Sequence, residues 1–179
     1  MPSHAVKFYE DDAFLIEAVS AFILTGLQAR GGVVVIATAR HLEELDKAMA
    51  FGVRPSAGTL LLLDAHEMLA RIVVESRPSE PRFLTVFGEL VDTASQEGPV
   101  RIFGEMVAVL AEQGRIGAAL HLEELWNRLG ATRPFSLLCA YPLGVFAPGA
   151  GTDAFLDVCA AHDRLLTTAS HSCPVAMEA

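Results

Sequence analysis

Gly31-Gly32-Val33-Val34-Val35-Ile36-Ala37 is the stretch on which the fold turns. Four β-branched residues follow the two glycines without polar interruption, and the run is too short for a helix of ordinary length. A strand with one solvated face alternates apolar and polar residues. A continuous run instead marks a strand covered on both faces, as in a parallel sheet between layers of helix.

Working outward, Ala5–Tyr9, Leu60–Leu63, Val100–Phe103 and Phe135–Tyr141 read as further strands, the last stopped by Pro142. Helical spacing separates them. Phe14, Leu15, Ala18, Val19, Phe22 and Ile23 share one face of a helix that Asp11 or Asp12 caps and that ends near Gly26. His41–Phe51, closed by Gly52, is a second helix, with the segment Pro55–Gly58 as the turn after it. Ala65–Val74, Phe83–Ser95, Met106–Ala111, Ile116–Leu129 and Ala154–Leu166 complete the helical set, with a proline-rich loop over Arg77–Arg82 and a turn at Gln96–Pro99. The expected fold class is α/β, a mostly parallel sheet flanked by helices on both faces. No repeat or linker divides the chain, so 1–179 reads as one domain, with a core over about 4–166 and a loose tail over 167–179.

Composition limits the function. Apolar residues make up 52% of the chain and the mean hydropathy is +0.39, yet no apolar run approaches the roughly 18 residues of a membrane span. Met1-Pro2-Ser3-His4 lacks the basic and apolar regions of a signal peptide, which predicts a cytoplasmic protein. The formal charge of -9 opposes direct nucleic-acid binding. Cys139, Cys159 and Cys173 are an odd number without export signals, and reduced thiols are expected.

After the first strand, a phosphate-binding loop would place glycines and a lysine. Tyr9-Glu10-Asp11-Asp12-Ala13-Phe14 has neither, and its three carboxylates repel a polyanion. ATP hydrolysis is therefore not expected, and with no GxGxxG motif neither is a dinucleotide.

Several segments fall together in order: His4-Ala5-Val6-Lys7-Phe8-Tyr9-Glu10-Asp11, Arg101-Ile102-Phe103-Gly104-Glu105-Met106, Leu122-Glu123-Glu124-Leu125-Trp126-Asn127, Leu138-Cys139-Ala140-Tyr141-Pro142 and Cys159-Ala160-Ala161-His162. Over about 4–166 the chain resembles the MEDS domain, a sensory domain named after methanogens, methylotrophs and the dichloromethane regulator DcmR. The resemblance implies a RecA/KaiC-like fold without Walker A and a role in sensing small hydrocarbon derivatives. It also implies a histidine kinase or transcription regulator as partner. The sequence carries no kinase or helix-turn-helix module, so the output is expected to act in trans.

Glu105 falls at the carboxyl end of a strand, where open α/β sheets bind ligands. It can accept a hydrogen bond, bind a cation, act as a general base or cap the helix beyond it. Glu123 and Asn127 share a helix face, next to the sole tryptophan, Trp126. They line a pocket opposite Glu105 or belong to an ordinary amphipathic helix. Cys139 and Tyr141 project to one face of their strand. With His4 and Tyr9, these residues form the expected ligand-binding set: His4, Tyr9, Glu105, Glu123, Asn127, Cys139 and Tyr141.

Cys159 and His162, three apart, suit a soft metal completed by His4 or Cys139, although a buried cysteine is often a small hydrophobe. His41, His66, His121 and His171 receive no role. No serine is ordered against a histidine as in a hydrolase. The leading reading is a non-catalytic sensory module for a small apolar molecule, without an obligatory cofactor. The alternatives are a RecA-like scaffold for protein contacts or homo-oligomers, and a metal-dependent enzyme using Glu105, Cys159 and His162.

Overall fold

All five expected strands form in the computed structural model, which describes residues 3–50, 58–146 and 151–166. β1 (Ser3–Tyr9) leads into α1 (Asp12–Gln28), β2 (Gly32–Ala37) into α2 (Ala39–Ala50), and β3 (Thr59–Asp64) into α3 (Ala65–Ile72). A small antiparallel hairpin, β4 (Val73–Val74) and β5 (Arg77–Pro78), precedes α4 (Glu80–Ala94). β6 (Val100–Gly104) is followed by α5 (Met106–Glu112) and α6 (Ile116–Gly130), and β7 (Phe135–Pro142) by α7 (Gly151–Ala160) and β8 (Arg164–Leu165).

The six-stranded sheet has the order β3-β2-β6-β7-β1-β8, with every pairing parallel. This order is compatible with the RecA-like arrangement implied by the resemblance. All six residues of β2 are buried, between β3 and β6. Alternate residues serve opposite cores. Val33, Val35 and Ala37 pack with Leu15, Val19 and Ile23 of α1 and with Leu45 of α2. Val34 and Ile36 belong to a larger core with residues of α3, α4, α5 and α6.

The chain moves from β1 through β2 to β3 in one direction across the sheet, then from β6 to β7 in the other. Right-handed crossovers taken in opposite directions place their helices on opposite faces. The carboxyl edge between β2 and β6 is therefore a topological switch point, where the two following helices diverge.

Gly31 and Gly32 do more than mark a turn. A Cβ on Gly31 would lie 2.1 Å from the Pro99 carbonyl oxygen, and one on Gly32 would lie 2.4 Å from that of Ala94. Only glycine lets these backbones approach so closely.

Three segments differ from the sequence reading. The first helix passes Gly26 and ends at Gln28; Gly26 serves packing and not termination, since a Cβ there would meet the Val33 side chain at 2.5 Å. The proline-rich segment Arg77–Arg82 holds β5 and the first turn of α4, a position at which proline costs no backbone bond. The expected helix Ala154–Leu166 ends at Ala160, and Arg164–Leu165 joins the sheet beside β1. Two paired residues carry no readable periodicity. The expected termination at Phe51-Gly52, most of the Pro55–Gly58 turn, and the tail over 167–179 lie outside the described residues.

Phe83, Phe87, Trp126 and Phe135 form an aromatic cluster, with Phe87 4.8 Å from both Phe83 and Trp126 between ring centroids. Phe87 is fully buried. Phe87→Ala is expected to lower stability by about 3–5 kcal/mol, read by urea unfolding with Trp126 fluorescence as the probe.

Candidate functional site

Glu105 follows β6 directly, and its side chain makes no capping bond to α5. It reaches across the switch point instead. Oε2 accepts the Thr38 N–H at 2.8 Å, and Oε1 lies 2.5 Å from His41 Nδ1. Thr38 follows β2, and His41 stands in the first turn of α2. The Glu105 N–H also donates to the Ile36 carbonyl at 2.8 Å, so backbone and side chain both join the two strand ends.

Glu105 and His41 are buried, at 2% and 6% exposure. The hydrogen bond to Glu105 raises the His41 pKa, against the opposing effect of burial. With Nδ1 on the carboxylate, His41 Nε2 is left buried without a hydrogen-bond partner, 3.5 Å from Asp12 Oδ2. Arg40 holds that same Asp12 oxygen at 2.6 Å. The Tyr9 ring meets His41 edge-on at 6.5 Å. Burial pushes the Tyr9 hydroxyl pKa upward, and the nearby charge of Glu105 adds to the shift. In the acidic turn, Asp11 Oδ1 accepts the Ala13 N–H at 2.8 Å and caps α1.

A second polar cluster lies against the other face of the sheet. Glu123 of α6 is fully buried. Its Oε1 accepts the Tyr141 hydroxyl at 2.9 Å, and its Oε2 accepts the Cys139 thiol at 3.2 Å. His4 Nε2 is 3.2 Å from Glu123 Oε2 and 3.4 Å from Cys139 Sγ. His162 Nε2 stands 3.3 Å from Glu123 Oε1, and the two imidazole rings are 4.1 Å apart.

Burial acts to raise the Glu123 pKa, but hydrogen bonds from His162 and His4 outweigh it and hold the carboxyl well below the usual range. For His162 burial lowers the pKa, yet the Glu123 carboxylate leaves it raised. The Cys139 thiol and Tyr141 hydroxyl are both pushed well up, by burial first and then by the Glu123 charge.

The expected ligand-binding set therefore divides in two. Tyr9 and Glu105 meet at the carboxyl edge, on the side of α1 and α2. His4, Glu123, Asn127, Cys139 and Tyr141 gather on the side of α6 and α7. Glu123 and Asn127 do not line a pocket opposite Glu105, because the sheet stands between them.

Cys159 and His162 were read as one helix face. His162 lies beyond the end of α7 and turns into the Glu123 cluster, whereas the cysteine in that cluster is Cys139. His41 was assigned no role, yet it is Glu105's side-chain partner. Its place four residues past the end of a buried strand, at a carboxyl edge, was the available signal.

Among the described residues no helix is long and apolar enough to cross a membrane. A family model described as MEDS, MEthanogen/methylotroph, DcmR Sensory domain, matches residues 3–163. The curated proteins include no match to the chain.

The raised pKa of His41 sets a direction for its pH dependence. The contribution of the Glu105 pair is complete below the unfolded value of about 6.5 and is lost as pH rises through the folded value. The melting-temperature difference between wild type and His41→Asn is expected to be largest near about pH 6 and to shrink toward about pH 9. Calorimetry across that range checks it, and a difference that grows with pH contradicts the assignment.

Proposed function

The chain belongs to the MEDS family, and from that premise we propose a non-catalytic sensory domain that binds a small, largely apolar hydrocarbon derivative and signals through a partner protein. The sensory or signalling role follows from the family. The ligand site in this proposal is the carboxyl edge at the switch point between β2 and β6, where Glu105, His41 and Tyr9 meet.

One observation carries the choice of site. His41 Nε2 is buried and makes no close hydrogen bond, its nearest acceptor being Asp12 Oδ2 at 3.5 Å, although the opposite ring nitrogen is held by Glu105. Leaving a buried polar atom unsatisfied costs about 1–3 kcal/mol. A ligand hydroxyl at this position removes that cost. Tyr9 belongs to the apolar core beneath the edge, and such surroundings suit the hydrocarbon part of the same molecule.

A triphosphate suits the edge poorly. The Asp11 carboxylate already occupies the Ala13 N–H at the start of α1, and Asp12 adds a second negative charge beside it. ATP hydrolysis is accordingly outside the proposal. The net charge of -9 disfavours direct contact with nucleic acid, so the proposed output is a protein contact, with a histidine kinase or transcription regulator acting in trans.

The test is a panel of short alcohols and halocarbons, followed by thermal shift and calorimetric titration. At least one compound is expected to raise the melting temperature saturably. Glu105→Gln and His41→Phe are each expected to weaken its binding by about tenfold or more, equivalent to about 1.4 kcal/mol. A panel without any shift, or variants that bind as well as wild type, removes the proposal.

A further inference from the structure

The geometry points to a buried divalent transition-metal site formed by His4 Nε2, a Glu123 carboxylate oxygen, Cys139 Sγ and His162 Nε2. These four ligand atoms all lie within 4.8 Å of one another. In a tetrahedral zinc site, bonds of about 2.0–2.3 Å place neighbouring ligands roughly 3.3–3.8 Å apart. The separations here are 3.2 Å for His4–Glu123 Oε2, 3.4 Å for His4–Cys139 and 3.2 Å for Cys139–Glu123 Oε2, while His162 lies 3.3 Å from the other oxygen, Oε1. Three of the ligand atoms already stand at tetrahedral spacing, and a shift of His162 of about 1 Å or less completes the shell.

The outer hydrogen bonds decide what the rings present inward. Asn127 Nδ2 donates to the Ala161 carbonyl at 3.0 Å, which turns Asn127 Oδ1 toward His4 Nδ1 at 2.8 Å. That oxygen only accepts, so His4 Nδ1 carries the proton. His162 Nδ1 likewise faces the Val158 carbonyl at 2.6 Å and must donate to it. Each ring therefore turns Nε2 toward Glu123, and that nitrogen can coordinate an ion once it gives up any proton it shares with the carboxylate. An outer acceptor that fixes the tautomer is the usual support of a metal-bound histidine.

The His162 ring is aimed into the cluster and shielded from solvent. His162 Nε2 stands 3.3 Å from Glu123 Oε1, and its side chain is only 1% exposed. Both Nε2 atoms converge on one buried carboxylate, the placement that two nitrogen ligands take around a shared ion.

The donor set chooses the ion. Nitrogen, sulfur and one carboxylate oxygen suit zinc and its neighbours and do not suit calcium or magnesium. On binding, the Cys139 S–H bond breaks, sulfur keeps the electron pair and coordinates the ion, and the thiol proton leaves to solvent together with any Nε2 proton of His4 or His162, each nitrogen keeping its electron pair for the ion. No electrons are transferred. One thiolate and one carboxylate then neutralise the dication within the core. Tyr141 keeps its hydrogen bond to Glu123. A cleft of about 190 Å³ lined by His4, Asn127 and Asp163 provides the approach. With four protein ligands the site is of the closed, structural kind, and it ties α6 and the segment entering β8 to the sheet.

These residues are separate from the proposed ligand edge, so the two tests fail independently. The experiment uses tag-free full chain, stripped with chelator and titrated with Zn2+ or Co2+. One ion per chain is expected, with elemental analysis for stoichiometry and a thiolate-to-cobalt charge-transfer band for the sulfur ligand. Cys139→Ser is expected to abolish the band, and Cys159→Ser to retain it. Asn127 is exposed, and Asn127→Ala is expected to weaken binding by about 10–100-fold through loss of the outer support. That variant and the wild-type stoichiometry decide the matter if Cys139→Ser does not fold. A wild-type chain that is folded by circular dichroism and takes up neither ion overturns the inference. A band that survives Cys139→Ser does the same.

Discussion

A strand that is apolar along its whole length must be covered on both sides, and β2 imposes that demand at the centre of this molecule. Val33, Val35 and Ala37 require the cover that α1 and α2 supply, while Val34 and Ile36 require that of the helices opposite. The sheet can meet both demands only if its crossovers reverse direction. They do so beside β2, where β3 lies on one side and β6 on the other. The reversal leaves a crevice at the carboxyl edge, and the polar residues following β2 and β6 meet in it.

Both polar clusters obey one rule of the interior: a buried charge needs a partner close at hand. At the edge, Glu105 is held by a backbone N–H and His41. In the deeper cluster, Glu123 draws on Tyr141, Cys139, His4 and His162, from β7, β1 and the turn after α7. The terminal segment closes this arrangement. The Asp163 carboxylate accepts the His4 N–H at 3.0 Å, and the Asp163 N–H donates to the His4 carbonyl at 2.8 Å. This clamp seats the chain between α7 and β8 and holds His162 over Glu123.

The strands that carry the sheet were legible because burial on both faces writes a local pattern, plain in Val33–Ala37, although Leu60–Leu63 carries the same apolar run at the sheet edge with no residue fully buried. The helix periods of Met106–Ala111 and Ile116–Leu129 were legible for the same reason. β8 was not, since two residues beside β1 follow no period and depend on a partner about 160 positions away. Site residues were legible as chemistry but not as groupings. Glu105 stood out by its place after a strand. His41, on the next strand's helix, looked like one more helical histidine. Cys159 looked like the partner of His162 because they are three apart, whereas the helix ends at Ala160 before that spacing can apply.

The sequence by itself determined the α/β layering, the absence of a glycine-rich phosphate cradle after β1, and the family to which the chain belongs. Each depends on runs and spacings within short windows, where local sterics and side-chain polarity suffice. Only the tertiary structure decided which polar residues meet. The sheet is a wall one strand thick, and a residue's side of it depends on the direction of each crossover. That direction separated Glu105 from Glu123, joined Glu105 to His41, and brought His4, Cys139 and His162 around a single carboxylate.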